Sequence, residues 1–359
     1  MPNETAFFVE WFAPFFSGGG YSSEAIAFAT ALDDHGVPIK IVQHGDSFNK
    51  RFVDSLPDDL MERLVDLTTR TKPSSGSRLH VSICHSEPGA WHPSAWERTR
   101  CPPRGAGLAV GRTMFETDRL PAGWAARLGK MDQASAAIWV PTEHSRKIFV
   151  EGGVPQEKLR VKVRGPRSVI LKRETKEDLR LLTTEGMLLL STRSSTYTAT
   201  IVSSPVTEFL RGWDVLLKAY FSAFTKDDPV LLAILTSEYH SKGGLTTFET
   251  QIKDFAIQEN FDIEMLPRVQ LLTSLSQAGL RALYAAAGAV ALPTRGEGWG
   301  RPHAEAMAMG RPVAATAWSG PTEFMNANNS YPIKINGLTE VKSGPFTGHM
   351  WADPSAEHL

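Results

Sequence analysis

The chain has 359 residues, room for two domains at the usual ~100–200 residues each. Its 42% hydrophobic and 21% charged residues are those of a globular protein, and a formal net charge of −1 leaves no large electrostatic footprint for nucleic acid. No uncharged apolar run reaches the ~18 residues of a transmembrane segment, and Glu4 and Glu10 stand where a secretory signal would carry a basic leader. The two cysteines, Cys84 and Cys101, do not make a disulfide framework, so a reducing, cytoplasmic setting is expected. The ten histidines are scattered, and no metal is expected.

Phe7-Phe8-Val9-Glu10-Trp11-Phe12 reads as a first strand. Ser17-Gly18-Gly19-Gly20-Tyr21 follows, then a helix from about Ser22 to His35 with Ala25, Ile26, Phe28, Ala29 and Leu32 as its apolar face. Gly36 ends it, and Val37 to Val42 is the second strand. Strand, glycine turn, helix, strand is the opening of nucleotide-binding α/β folds. G-x-G-x-x-G is missing and no acidic residue ends the second strand, so a dinucleotide reading is weak. Gly18, Gly19 and Gly20 stand between a ligand turn and a plain tight turn. Leu79 to Cys84 is a further strand running into His85-Ser86-Glu87, and open α/β sheets hold ligands at such carboxyl ends. Cys84 reads as a small buried residue. Ala137 to Thr142 is another strand with its turn, followed by a helix with Glu143, His144 and Phe149.

Between about 165 and 207 the pattern fails. Ser191 to Thr207 has ten Ser or Thr among seventeen residues and reads as loop. The expected organisation is therefore a domain over 1–165, a linker-like segment over 166–207 and a second domain over 208–359. The second domain alternates regularly: helix from Trp213 to Phe224, strand from Val230 to Leu235, helix from Leu245 to Gln258, strand from Val269 to Thr273, helix from Gln277 to Ala287. That alternation argues a parallel sheet covered on both faces.

The most informative stretch is Pro293-Thr294-Arg295-Gly296-Glu297-Gly298-Trp299-Gly300-Arg301-Pro302-His303-Ala304-Glu305-Ala306-Met307-Ala308-Met309-Gly310. The apolar run Ala289 to Leu292 before it is a buried strand, and Pro312 to Ala317 after it is the next. Pro302 suits the first turn of a helix and Gly310 its end. The unit is strand, glycine loop, short helix, strand. Backbone N–H groups and the positive helix end suit an anion such as a phosphate, and Gly298 and Gly300 allow close approach. Glu297 in the loop and Glu305 about one turn into the helix suit hydrogen bonds from sugar hydroxyls, which are neutral donors.

Glu297 and Glu305, with seven residues between them in the setting E-G-W-G-R-P-H-A-E-A-M-A-M-G, resemble the E-x7-E signature of family 4, or group 1, glycosyltransferases. The resemblance covers about residues 5–163 and 208–357. It implies the GT-B fold: α/β, with two Rossmann-like domains facing a cleft. It also implies transfer of a sugar from a nucleotide diphosphate sugar to a hydroxyl acceptor, with retention at the anomeric carbon and neither metal nor cofactor. Nucleic acid is not an expected partner.

By that resemblance Glu305 takes the nucleotide ribose and Glu297 the hydroxyls of the transferred sugar, beside Gly298, Trp299 and Gly300. Gly18 to Gly20 lie against the donor diphosphate across the cleft. His85 is the candidate near the acceptor or the transferred sugar; a histidine tied to a loop carbonyl is the competing reading. Arg211 stands where the family has lysine. The arginine that normally shares the diphosphate has no counterpart, and helices that close related enzymes are missing after Leu359. Glu116 and Asp118 read as solvated loop carboxylates, Glu323 as a helix cap and Lys218 as a surface charge. A GT-B-like protein that binds nucleotide or sugar without turnover is the alternative. A nucleotide-sugar epimerase lacks positive support. The base, the sugar, the acceptor and the oligomeric state are not read from the sequence.

Overall fold

The computed structural model describes residues 7–71, 79–92, 99–131, 137–162, 212–235, 244–272 and 275–359. The chain divides into two compact units, Met1–Phe115 with Arg119–Ser168, and Glu116–Asp118 with Val169–Leu359. The segment 166–207, and Arg211 with it, lies outside the described residues.

The first unit runs β1 (Phe7–Ala13), α1 (Gly20–Asp34), β2 (Ile39–Gln43), α2 (Lys50–Asp54), α3 (Asp58–Thr69), β3 (Leu79–His85), β4 (Leu108–Arg112), α4 (Trp124–Lys130), β5 (Ala137–Val140), α5 (Glu143–Glu151) and β6 (Leu159–Val161). All six strands are parallel, in the order β2-β1-β3-β4-β5-β6. β1 has almost no exposed position because helices cover both faces of a parallel sheet. Trp11, Ile39 and Ile41 are buried with Leu64 and Leu67 of α3. Each such side chain contributes roughly 1.5–3 kcal/mol by leaving water. The strand order reverses between β1 and β3. Ligands of open α/β sheets bind at that switch point, outside the carboxyl ends. The Gly18–Gly20 turn after β1 and His85 at the end of β3 both lie there.

Two expectations are corrected here. Cys84 and Cys101 are joined as a disulfide across a separation of 17 residues, with Cα atoms 5.8 Å apart. Their spacing alone carried no sign of the pairing, because β3 and the loop before β4 meet only in the fold. Asp118 is not a solvated carboxylate. Its Oδ1 accepts the Met350 N–H at 2.7 Å, and its own N–H donates to the Met350 carbonyl at 3.0 Å.

The second unit runs α6 (Trp213–Ala223), β7 (Leu231–Leu235), α7 (Gly244–Gln258), β8 (Arg268–Leu272), α8 (Gln277–Ala286), β9 (Val290–Leu292), α9 (Arg301–Ala308), β10 (Val313–Thr316), β11 (Tyr331–Ile333), β12 (Ile335–Glu340) and β13 (Met350–Pro354). β11-β10-β9 and β7-β8 are parallel, and β12-β13 is an antiparallel hairpin. One core joins Ala233 and Leu272 to Leu283, Val290, Val313 and Ala306, so α8 and α9 pack on the strands around β9. Because β9 and β10 are parallel neighbours, the loops leaving their carboxyl ends lie side by side. That adjacency builds the site. Among the described residues no helix is long and apolar enough to cross a membrane.

Candidate functional site

The loop 293–300 leaves β9 and enters α9 at Gly300, whose φ of +97° is the left-handed region that glycine occupies at little cost. A Cβ there would also meet His303 and Pro321 at 3.0 Å. No side chain caps α9 at this end, and Pro302 in its first turn has no N–H to satisfy. Trp299 is buried and packs on Phe324 with ring centroids 4.8 Å apart. Its ring therefore shapes the loop from beneath. Gly298 is buried as well.

The loop after β10 grips Glu297 by its backbone. The Glu297 N–H donates to Ser319 Oγ at 2.9 Å, and its carbonyl accepts the Gly320 N–H at 3.0 Å. Gly320 cannot carry a Cβ, which would fall 2.6 Å from the Glu297 oxygen and the Trp299 backbone. Glu323 closes a one-turn 3-10 helix, Gly320–Glu323, and no α-helix follows it among the described residues. The cap expected of it therefore has no helix to serve.

Glu305 is 5% exposed on α9. Its Oε1 accepts from Arg301 Nε, one turn back, and its Oε2 accepts the Tyr284 hydroxyl at 3.1 Å. Burial holds the Tyr284 phenol well above its ordinary pKa, and the Glu305 charge pushes the same way, so the hydroxyl stays a donor. Each carboxylate oxygen has a second acceptor position, so the carboxylate still has capacity for two more donors.

A fork-to-fork ion pair ties the start of the loop to α6. Arg295 donates from Nη1 and Nη2 to the two oxygens of Asp214 at 2.8 and 2.7 Å. Beside it Gly212, at φ +64°, lies so near Pro293 that a Cβ would stand 1.9 Å from the Pro293 carbonyl oxygen. Gly212 directly follows Arg211 in sequence. Lys218 forms a surface ion pair with Glu259.

In the first unit Gly18, Gly19 and Gly20 are exposed at the amino end of α1, which has neither a side-chain cap nor an acidic residue in its first turn. Gly18 has φ +86°, and a Cβ would strike Phe52 at 2.9 Å. His85 is placed differently from either reading of it. It is fully buried; Nδ1 accepts the Trp11 indole N–H at 3.2 Å, and Nε2 meets Glu24 Oε2 at 3.0 Å. Because the indole only donates, the proton of neutral His85 sits on Nε2 and points at Glu24. Glu24 Oε1 accepts from Arg112 Nη2 at 2.6 Å. Both ring nitrogens are thus committed to protein, and this arrangement offers neither to an acceptor.

Sequence reasoning missed Tyr284, Asp214 and Ser319. Arg301 was missed too, although a basic residue four before Glu305 shares its helix face. Tyr284 and Ser319 reach the site from other elements and leave no local signal. Among the described residues no three His, Cys, Asp or Glu side chains are grouped as a metal site would need.

Two compact α/β units with parallel sheets, one carrying a glycine loop between a strand and a short helix, are the parts of the GT-B fold. The family model described as glycosyl transferases group 1 matches residues 202–339. No curated protein matches the chain. The fold agrees with solved structures of low identity. The Anabaena protein Alr3699/HepE, in complex with UDP and glucose, is 13% identical over 91% of this chain and 86% of its own, with TM-score 0.58. WaaG, a glycosyltransferase involved in lipopolysaccharide biosynthesis, is 13% identical over the same shares with TM-score 0.51. A UDP-forming α,α-trehalose-phosphate synthase from Burkholderia xenovorans is 11% identical over 89% and 86%, with TM-score 0.50.

Proposed function

We propose that this chain moves a sugar from a UDP-sugar to a hydroxyl acceptor with retention at the anomeric carbon. One observation carries the reading: within the family-matched segment, the loop carboxylate Glu297 and the helix carboxylate Glu305 flank the uncapped start of α9. UDP is chosen because fold relatives hold it or form it.

Glu305 takes the ribose. Two vicinal hydroxyls fit its two remaining acceptor positions, while Arg301 and Tyr284 fix the carboxylate's rotamer. Glu297 takes hydroxyls of the transferred sugar. The diphosphate is met by backbone N–H groups at the start of α9 and by Arg211. Charge that builds as the sugar leaves is stabilised by such preorganised donors, so the reaction as proposed routes no step through a metal. With no protein nucleophile in the scheme, the departing diphosphate accepts the acceptor's proton on the same face. His85 takes no proton in this scheme; its network with Glu24 and Arg112 ties α1 to β3 and β4.

The test is product analysis with a panel of nucleotide sugars. Release of UDP with a product of unchanged anomeric configuration supports the proposal. Inverted product overturns retention. Nucleotide binding with no sugar product from any donor replaces the proposal with a binding role.

A further inference from the structure

Ser319 is 2% exposed and has φ +61° and ψ −146°, close to a backbone region reached essentially by glycine alone. Such strain persists only where surrounding structure enforces it, and it concentrates at working sites. Its neighbours here show what enforces it. Ser319 Oγ accepts the Glu297 N–H, and the next residue, Gly320, donates its N–H to the Glu297 carbonyl. The Ser319 carbonyl accepts the Thr322 hydroxyl at 2.7 Å, which pins the far side of the turn. Holding the N–H and the carbonyl of one residue with two consecutive residues forces the chain to reverse at 319.

Glycine would take this backbone without strain. It would bring no hydroxyl. Serine therefore supplies one thing that the cheaper residue lacks: a side-chain acceptor for the N–H of Glu297. We propose that Ser319 is a positioning residue that sets Glu297 against the transferred sugar, its strained backbone retained for that bond. The proposal rests on the reading of Glu297 as the sugar contact.

Ser319→Gly separates positioning from support, because it relieves the strain while deleting the hydroxyl. Affinities for UDP, UDP-glucose and UDP-N-acetylglucosamine are measured by calorimetry in the parent and the variant, beside their melting temperatures. The expected result is a melting temperature equal to or above the parent's and UDP affinity within about twofold. The better-bound UDP-sugar should weaken about tenfold. Ser319→Ala, which keeps the strain and loses the bond, should lose melting temperature and UDP-sugar affinity together. If Ser319→Gly binds the UDP-sugar as the parent does, or loses UDP and UDP-sugar equally, Ser319 does not position Glu297. If the parent binds neither UDP nor any UDP-sugar, the proposed function itself fails, and this inference with it.

Discussion

Arg295 and Asp214 meet fork to fork, and through them the loop after β9 is fastened to the first turn of α6. The side chains keep only 10% and 25% of their exposure, so deleting one leaves the other charge largely desolvated. Removing one partner of a buried pair costs ~3–5 kcal/mol, and the partial exposure of Asp214 points to the lower end. Arg295→Ala and Asp214→Ala are each expected to destabilise the second unit by about 3 kcal/mol by that reasoning. The double variant should cost clearly less than the two together. Urea unfolding of the three variants measures this; singles that cost nothing would show that the pair is ornamental.

Glu305 makes a separate prediction. A hydrogen bond to a charged group is worth ~1.5–3 kcal/mol, so losing the ribose contacts should weaken UDP binding roughly tenfold or more. Glu305→Ala tests this by calorimetry, with circular dichroism confirming the fold. Undiminished UDP affinity in a folded variant would remove Glu305 from the site. Tyr284→Phe should have a smaller effect, since Arg301 continues to orient the carboxylate.

The alternation of strand and helix was legible because parallel strands buried on both faces are continuous apolar runs, as at Leu231–Leu235. The glycine loop was legible because Gly300 and Pro302 carry their conformational reasons in their own chemistry. What escaped came from pairings across the sequence. The disulfide joins residues 17 apart whose Cα atoms approach only in the fold. Asp118 pairs with Met350 across 232 positions. His85 was found as a polar residue at a strand end, but its burial depends on Glu24 of α1 and Trp11 of β1. Periodicity reports which face of an element is apolar. It does not report which polar atoms from other elements will close over it.

Alkaline pH should loosen the second unit. The Tyr220 phenol is pushed up to about 12 by burial, whereas an unfolded tyrosine titrates near ~10. Its folded value is raised, so the stability it contributes is complete below pH ~10 and is lost as pH climbs towards 12. The loss amounts to about 2–3 kcal/mol across that window. Tyr284, also raised by burial, acts in the same direction. Urea midpoints measured at about pH 9 and 11 should fall for the parent and fall less for Tyr220→Phe. Identical pH dependence in the two would exclude Tyr220 as a source.

Reduction should weaken the first unit. Closing a loop of 17 residues removes unfolded-chain freedom worth about 3 kcal/mol in the chain-entropy account. Dithiothreitol, or Cys84→Ser with Cys101→Ser, should lower the urea midpoint correspondingly, followed by the fluorescence of the buried Trp11 and Trp91. A thiol titration of the unreduced, denatured protein should find no free sulfhydryl. Two free thiols would mean that the bond does not form in the protein as made.

The last prediction concerns Arg211. A cation just before a helix start is disfavoured by the helix dipole, so an anionic partner is needed to justify it. Gly212, the next residue in sequence, sits against Pro293 too closely for any Cβ. Removing one preorganised donor to leaving-group charge typically costs ~2.7–4 kcal/mol of barrier. Arg211→Ala is therefore expected to lower turnover about a hundredfold or more. Lys218 lies seven residues on, and its ammonium is spent on an exposed ion pair with Glu259, so Lys218→Ala should leave turnover nearly intact. Gly212→Ala should act like Arg211→Ala on turnover but also cost stability, because its Cβ would collide with the Pro293 carbonyl. Steady-state turnover with the best UDP-sugar, beside urea unfolding of each variant, separates the three. Equal effects of Arg211→Ala and Lys218→Ala, or a silent Arg211→Ala, would move the diphosphate away from the start of α6.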